Sequence, residues 1–517
     1  MRRYIVLFIC CWSLLSVDAQ HDSITISRQD WQSLIERVSR LEERAANDTL
    51  HVTIPMNRDK RADVHTGATP PTDTYSGATR PTDARTGATR HISPKDSTRQ
   101  VSRAHGLSVG GYAEATYKRA FYSNNYQRYM YPENYKNDGF GEFDLPHVCF
   151  WIGYEFGRGW SLGSEIEFEH GGTESAVEIE EEEGGEYEAE VERGGEVALE
   201  QLWIQKSFNP YANIRAGMII VPIGGTNAHH EPNRFFGVYR PEGENTILPC
   251  TWHQIGLQFH GRVKWFAYTA QFLPGLESDL FGSKSWIHYG ASSPYEFTLA
   301  NTYAGALRLD FFPLSNKGSD ALRISLSGYA GTSFKNYLKE DLNKITSNPQ
   351  NKYYGVKGLV SLGSIDWCYN DHYVLFRGSA TYGHLGDAEQ ISKFNKSQSK
   401  NSVSKKQNVA SDAYAAGAEL GYEFFHFNQK LKQQNQQFYV FARYDIYDSE
   451  AAIPTVRSYW CGRQKISGGI NYLPIPQVII KAEFGYGIIN KNPAATVPYN
   501  NEPYVAMSVN YVGMFKW

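Results

Sequence analysis

Cysteine and methionine are scarce in this chain, with 6 of each among 517 residues, and long apolar runs are scarcer still. The only extended one lies at the extreme N-terminus, so a bundle of membrane helices of about 20 apolar residues each is excluded. Cys149, Cys250, Cys368 and Cys461 stand far apart, with no CxxC and no zinc-ligand spacing. They read as isolated thiols. The one GxSxG string, Gly159-Trp160-Ser161-Leu162-Gly163, runs into an alternating strand segment and makes no strand-to-helix elbow, and no HExxH occurs, so no hydrolase or metalloprotease site is expected. No catalytic residue, metal or cofactor is therefore assigned, and the chain is read as no enzyme. A net charge of −4 leaves no reason to expect nucleic acid as a partner.

Aromatics are abundant instead, at 14%, with 35 Tyr, while mean hydropathy stays at −0.48. That combination suits a β-barrel, whose apolar face hides in alternate positions. The N-terminus reads as a secretory signal over residues 1–19, with Arg2 and Arg3 before the apolar stretch from Tyr4 to Leu15, and cleavage expected before Gln20. Residues 20–46 hold a short coiled-coil helix in which Trp31, Leu34, Val38 and Leu41 step by 3, 4 and 3. Residues 47–106 form a linker with a ten-residue repeat that keeps Gly67, Gly77 and Gly87 in phase. Its lack of large apolar side chains predicts disorder.

From Leu107 the texture becomes segments of about ten residues with period two. Trp160, Leu162, Ile166 and Phe168 alternate with Glu165, Glu167 and Glu169. Three acids on one strand face suit a wet lumen far better than a packed sandwich. Leu307, Leu309 and Phe311 oppose Arg308 and Asp310, and Val478, Ile480, Ala482 and Phe484 oppose Lys481 and Glu483. About sixteen such segments fill 107–517, joined alternately by short turns and long connections. This predicts an all-β fold, a transmembrane antiparallel barrel of about sixteen strands. In the last strand Tyr511, Phe515 and Trp517 share the lipid-facing parity and supply the terminal aromatic signal that outer-membrane assembly machinery reads.

By parity the lumen receives the cations Arg215, Lys264, Arg308, Arg323, Arg377, Arg443 and Lys481, against the anions Glu114, Glu165, Glu167, Glu169, Asp310, Asp445 and Glu483. The near balance predicts weak ion selectivity. The long connection after the fifth strand, 224–251, carries His229, His230, Glu231, Arg234, Arg240 and Glu242 and is the candidate pore-constriction loop. His229-His230-Glu231 does not read as a metal site, because no third ligand is identifiable from the spacing. The loop 172–195, with ten glutamates and only Arg193 opposing them, matches no calcium loop and reads as solvated. The lysines of 386–408 read the same way.

Gly111-Tyr112-Ala113-Glu114, Ser164 to His170, Glu196 to Gln201, Arg215-Ala216-Gly217, Val221-Pro222-Ile223-Gly224, His230-Glu231-Pro232, and Tyr239-Arg240-Pro241 leading to Trp252 follow one another in an order that resembles the porin O/P family, the phosphate-selective porin type of Bacteroidetes-like outer membranes. The resemblance covers about 107–517. It implies a sixteen-stranded porin, often a homotrimer, with its third loop folded into the pore. The arginine ladder and lysine cluster behind phosphate selectivity in that family have no residue-by-residue counterpart here. The expected function is passive diffusion of small hydrophilic or ionic solutes, anions such as phosphate among them, with a surface-exposed adhesion or binding barrel as the alternative. The expected setting is the bacterial outer membrane, among lipid and lipopolysaccharide, with the N-terminal stalk in the periplasm.

Overall fold

The computed structural model describes residues 106–516, apart from 126–127, 129–130, 136–137, 173–176, 180–188, 192–195, 292–297, 316–318, 337–341, 372, 399–407, 454–456 and 491–500. The signal segment, the coiled-coil helix, the linker, Trp517 and most of the acidic loop lie outside the described residues.

Alternating apolar residues do form strands. In chain order they are β1 (Gly106–Ala120), β2 (Phe140–Asp144 continuing as His147–Gly157), β3 (Trp160–Glu169), β4 (Val197–Asn209), β5 (Ala212–Ile220), β6 (His253–Val263), β7 (Phe266–Pro274) and β8 (Tyr303–Phe311). The second half holds β9 (Leu322–Thr332), β10 (Leu359–Asp371), β11 (Val374–Leu385), β12 (Asp412–Glu423), β13 (Gln437–Ala452), β14 (Gly462–Ile475), β15 (Val478–Ile489) and β16 (Asn501–Lys516). The two pieces of β2 are one crossing, since both pair with β1 and part only at Leu145-Pro146. There Pro146, having no N–H, cannot donate to a ladder. Every strand pairs antiparallel with its sequence neighbours, and β1 pairs with β16 from Ser108↔Lys516 to Ala120↔Tyr504, which closes the barrel at sixteen strands. Each expected segment corresponds to one of these strands.

Connections alternate in length for most of the chain, the exception being that 424–436 at the tight end is longer than 453–461 at the other. Arg158-Gly159, Pro210-Tyr211, Lys264-Trp265 and Pro476-Gln477 make tight turns at one end. The first needs positive φ at Gly157, Arg158 and Gly159 (81°, 54° and 77°), which two glycines supply without a Cβ penalty. The long connections gather at the other end. Lys264 sits in one of the tight turns and is exposed, so it is not a lumen cation; parity counted through a two-residue turn misassigns its middle residues.

The outward face is apolar. Phe150, Ile152, Ile204, Phe259, Phe272, Leu307, Ile480, Phe484, Met507, Val509, Tyr511 and Phe515 are all exposed, whereas their strand neighbours Glu165, Gln205, Gln258, Arg308, Lys481 and Asn510 are buried inside. Such an inversion suits a barrel in hydrocarbon. No helix among the described residues is long and apolar enough to cross a membrane.

The main apolar core lies where the long connections meet. Trp286 in the β7–β8 connection is fully buried and donates Nε1–H to Ala410 O at 3.1 Å. Phe334 and Tyr353, from the β9–β10 connection, meet Phe394 edge-on, both at 5.1 Å between ring centroids. Phe394 belongs to a helix, Ala388–Gln398, whose Ala388, Ile391 and Phe394 point inward. That helix stands where a solvated lysine-bearing loop was expected: Lys393 does lie on its exposed face, paired with Glu389 at 2.5 Å, but the opposite face packs.

Candidate functional site

The connection from Val221 to Trp252, here loop 3, folds into the barrel instead of projecting from its rim. It contains two short helices, α1 (Gly224–Asn227) and α2 (Glu242–Ile247). The Glu244 carboxylate of α2 accepts from the N–H groups of Gly225 (3.0 Å) and Thr226 (2.7 Å), so one helix supplies the cap for the other. Asn227 ties the loop base, donating to Ile223 O and Pro249 O and accepting from Trp252 N at 2.8 Å.

Loop 3 is then held by strands on several sides of the lumen. Arg308 on β8 donates to Gly224 O at 3.0 Å while paired with Asp310 and Asp366. On the far side, Lys481 of β15 donates to Phe235 O (3.0 Å) and Gly237 O (2.8 Å). Glu483 accepts from Val238 N at 2.6 Å, and Glu419 of β12 accepts from Phe236 N at 3.2 Å. The Phe236 ring stacks on Phe441 (5.4 Å, 11°) beneath the Arg377 guanidinium. Further along, Glu242 meets Lys465 at 3.3 Å and accepts from Tyr447 Oη at 2.5 Å. Burial raises the Glu242 pKa, but Lys465 and Arg463 more than reverse this and hold the carboxyl at about 2.

The six residues expected in the constriction do not form one ring. His229 is half-buried and lies against β9, where Arg323 Nη1 donates to its Nε2. Burial, then Arg323, Arg234 and Arg308, push its pKa well below the ordinary histidine value, so the ring is neutral. His230 points the other way, to within 4.0 Å of Glu200 on β4. Arg240 reaches Tyr112 Oη (3.1 Å) and Glu167 (3.7 Å) on the acidic wall. Arg234 and Glu231 pair with each other at 3.7 Å. Glu242 faces the basic side at β14.

The expected lumen residues are inward. Glu165, Glu167, Arg215, Arg308, Arg443 and Lys481 are buried, and Glu169 and Arg323 are half-buried. Among the described residues no carboxylate pairs with Arg215; its guanidinium lies 3.7 Å over Trp203 and donates to Gln205 Oε1. Arg443 pairs with Asp445 at 2.6 Å and faces Glu419. Reading the sequence missed Asp366, Glu419, Arg463, Lys465 and Glu200. The first four follow the ordinary parity of their strands. Glu200 does not: β3 and β4 slip register between Glu165↔Gln201 and Ile166↔Leu199, so a β-bulge turns both Glu200 and Gln201 inward. The adjacent pair of polar residues is the one hint of this in the sequence. All four described cysteines are free thiols.

Among known proteins, no family model matches this chain. It is 28% identical over 392 residues to an uncharacterised protein of Aquifex aeolicus, covering 73% of this chain and 75% of the relative. Among solved structures it is similar to the anion-selective porin from Comamonas acidovorans, at a TM-score of 0.45 and 9% identity over 79% of this chain and all of that one. It is also similar to Salmonella typhi OmpF in complex with daunomycin, at 0.45 and 8% over 79% and 97%.

Proposed function

We propose that this chain is an outer-membrane porin that lets small hydrophilic or ionic solutes diffuse through a bore narrowed by loop 3. The observation that carries the reading is the combination of an apolar exterior with a charged lumen that loop 3 crosses and in which it is anchored, from Gly224 at β8 to Phe235–Val238 at β15. Long loops held inside a polar cavity set size and charge thresholds for what passes. Most inward side chains are buried, so the bore is tight and the reading is restricted to small solutes.

Selectivity follows from how the charges pair. In Arg323–Asp366 and Arg377–Glu419 the guanidinium keeps 15% and 14% exposure against 1% and 7% for the carboxylate. Lys465–Glu242 runs the other way, 12% against 34%. Lumen charges are thus largely neutralised locally, and weak selectivity is the outcome, with phosphate carried as one small anion among others. The reading includes a homotrimer, insertion by the outer-membrane assembly machinery, a periplasmic N-terminal stalk after signal cleavage, and no catalytic activity. Liposome swelling tests it: proteoliposomes should take up small sugars at rates falling steeply with sugar size, and no uptake of the smallest would refute it.

A second reading has its own support. The long connections pack together on a buried apolar core that includes Trp286, Phe334 and Phe394, which gives them a fixed arrangement at that end of the barrel. A surface-exposed binding or adhesion barrel would use such an arrangement and would show no solute flux when folded.

A further inference from the structure

The bulge at Glu200 produces an arrangement that the channel reading does not require. Glu165, Glu167 and Glu200, all buried, converge on the inner wall, with Cys149 beside them and His230 arriving from loop 3. Ligand atoms of Glu165, Glu200 and His230 lie within 4.8 Å of one another, and so do those of Cys149, Glu167 and Glu200. Glu200 belongs to both sets. It is fully buried, and neither of its oxygens has a hydrogen-bond partner. His230 Nε2, also buried, has none either. Only the neighbouring Glu167 carboxyl and the more distant charges of Arg240 and the histidines offset the Glu200 charge, and a buried carboxylate without N–H donors is costly enough to favour a ligand.

The histidine geometry narrows the choice. His230 Nδ1 lies 3.4 Å from Asn227 O, an acceptor, and the tautomer that donates there turns the Nε2 lone pair toward Glu200. Nε2 and Glu200 Oε2 are then two lone-pair atoms 4.0 Å apart. Bonds of about 2.0–2.2 Å from one small cation to each would span that gap with closure of well under an ångström. Around this point, Gln201 Nε2 donates to Glu165 at 2.6 Å and Trp203 Nε1 donates to Gln201 Oε1 at 3.2 Å. Such outer contacts orient metal-ligating carboxylates. The charges point the same way: among the described residues Arg240 is the guanidinium that reaches the cluster, 3.7 Å from Glu167, and its one charge leaves the carboxylates in excess.

We infer that Glu165, Glu200 and His230 form a site for one divalent first-row transition ion that clasps loop 3 to β3 and β4, with Glu167 and Cys149 flanking it. An imidazole among carboxylates selects such an ion over calcium or magnesium, which take oxygen ligands. The inference does not depend on conductance, because a barrel that passes no solute would still hold the ion.

The test uses the full chain, folded in detergent micelles and stripped with EDTA, titrated calorimetrically with Zn2+ and, separately, with Ca2+. One tight Zn2+ per chain is expected, with Ca2+ much weaker. Glu200→Gln and His230→Gln should each weaken Zn2+ by at least about tenfold, the loss that even an outer partner of a metal ligand can cause. Unchanged affinity in both variants would mean adventitious surface binding and would overturn the assignment, as would Ca2+ binding as tightly as Zn2+ or no stoichiometric Zn2+ at all. Should the variants not fold, zinc X-ray absorption on the wild-type protein decides: a shell with one imidazole supports the site, and an all-oxygen shell overturns it.

Discussion

Lys481→Met should loosen loop 3 without dismantling the barrel. The ammonium donates to Phe235 O at 3.0 Å and Gly237 O at 2.8 Å, and the side chain is among the most deeply buried in the protein. Hydrogen bonds to a charged group are worth roughly 1.5–3 kcal/mol each, so losing two costs loop docking about 3 kcal/mol at the low end. That is roughly a hundredfold in the docking equilibrium. Val238 N–H to Glu483 and Phe236 N–H to Glu419 remain, so the loop is destabilised and still partly held. Single-channel recording should show higher mean conductance and more open-channel noise. The reversal potential should shift toward cations, because the substitution removes one positive charge from the wall that carries Glu114, Glu419 and Glu483. A folded variant, identified by its heat-modifiable migration, with wild-type conductance, noise and reversal potential would refute the anchoring role.

Three further perturbations follow from the same geometry. Acid should release loop 3 on the β9 side: the folded state holds His229 neutral with its pKa well below 6.5, so stability from this group is present above that value and is lost as pH falls toward the folded pKa, at up to about 1.4 kcal/mol per pH unit. A conductance change below about pH 6.5 that disappears in His229→Gln is the expected signature; an unchanged titration in that variant would exclude the ring as its source. Gly421→Leu should undock Phe236, since even a Cβ there would lie 2.1 Å from the ring, and overpacking of this kind costs about 1–3 kcal/mol. Its channels should resemble those of Lys481→Met, whereas quiet, wild-type channels would count against the stacking of Phe236 on Phe441. Val509→Lys, on the outward face midway along β16, should lower barrel stability by about 2–4 kcal/mol in lipid if it sits at the midplane. Equal unfolding midpoints for this variant and wild type would argue that Val509 does not face hydrocarbon.

Much of the barrel was legible because strand alternation is local. Trp160 to Glu169 shows its two faces within ten residues, and the same alternation places Arg308, Arg443 and Lys481 on the inside without reference to strand pairing. Parity fails where the backbone departs from regular pleating. At Glu200 a bulge places two consecutive side chains inward, and alternation counted from Val197 and from Ile204 gives conflicting answers there. At Lys264 the chain is already turning. The inward course of loop 3 was expected, yet its partners were not, because His229, His230 and Glu242 contact three different walls set by register between segments far apart in sequence. His230 lacked a visible third ligand for the same reason: Glu165 and Glu200 come from other strands. The helix at Ala388–Gln398 was hidden by its lysines, although Ile391 and Phe394 on its buried side carry the packing.

The central claim is that a polar passage runs through this barrel beside loop 3. Planar-bilayer recording of the purified full chain under a salt gradient addresses it most directly. Discrete, ohmic conductance steps with a reversal potential close to zero would match the paired charges lining the lumen. A correctly folded barrel that inserts and yet carries no current would show that loop 3 seals the lumen, and the channel account would fail.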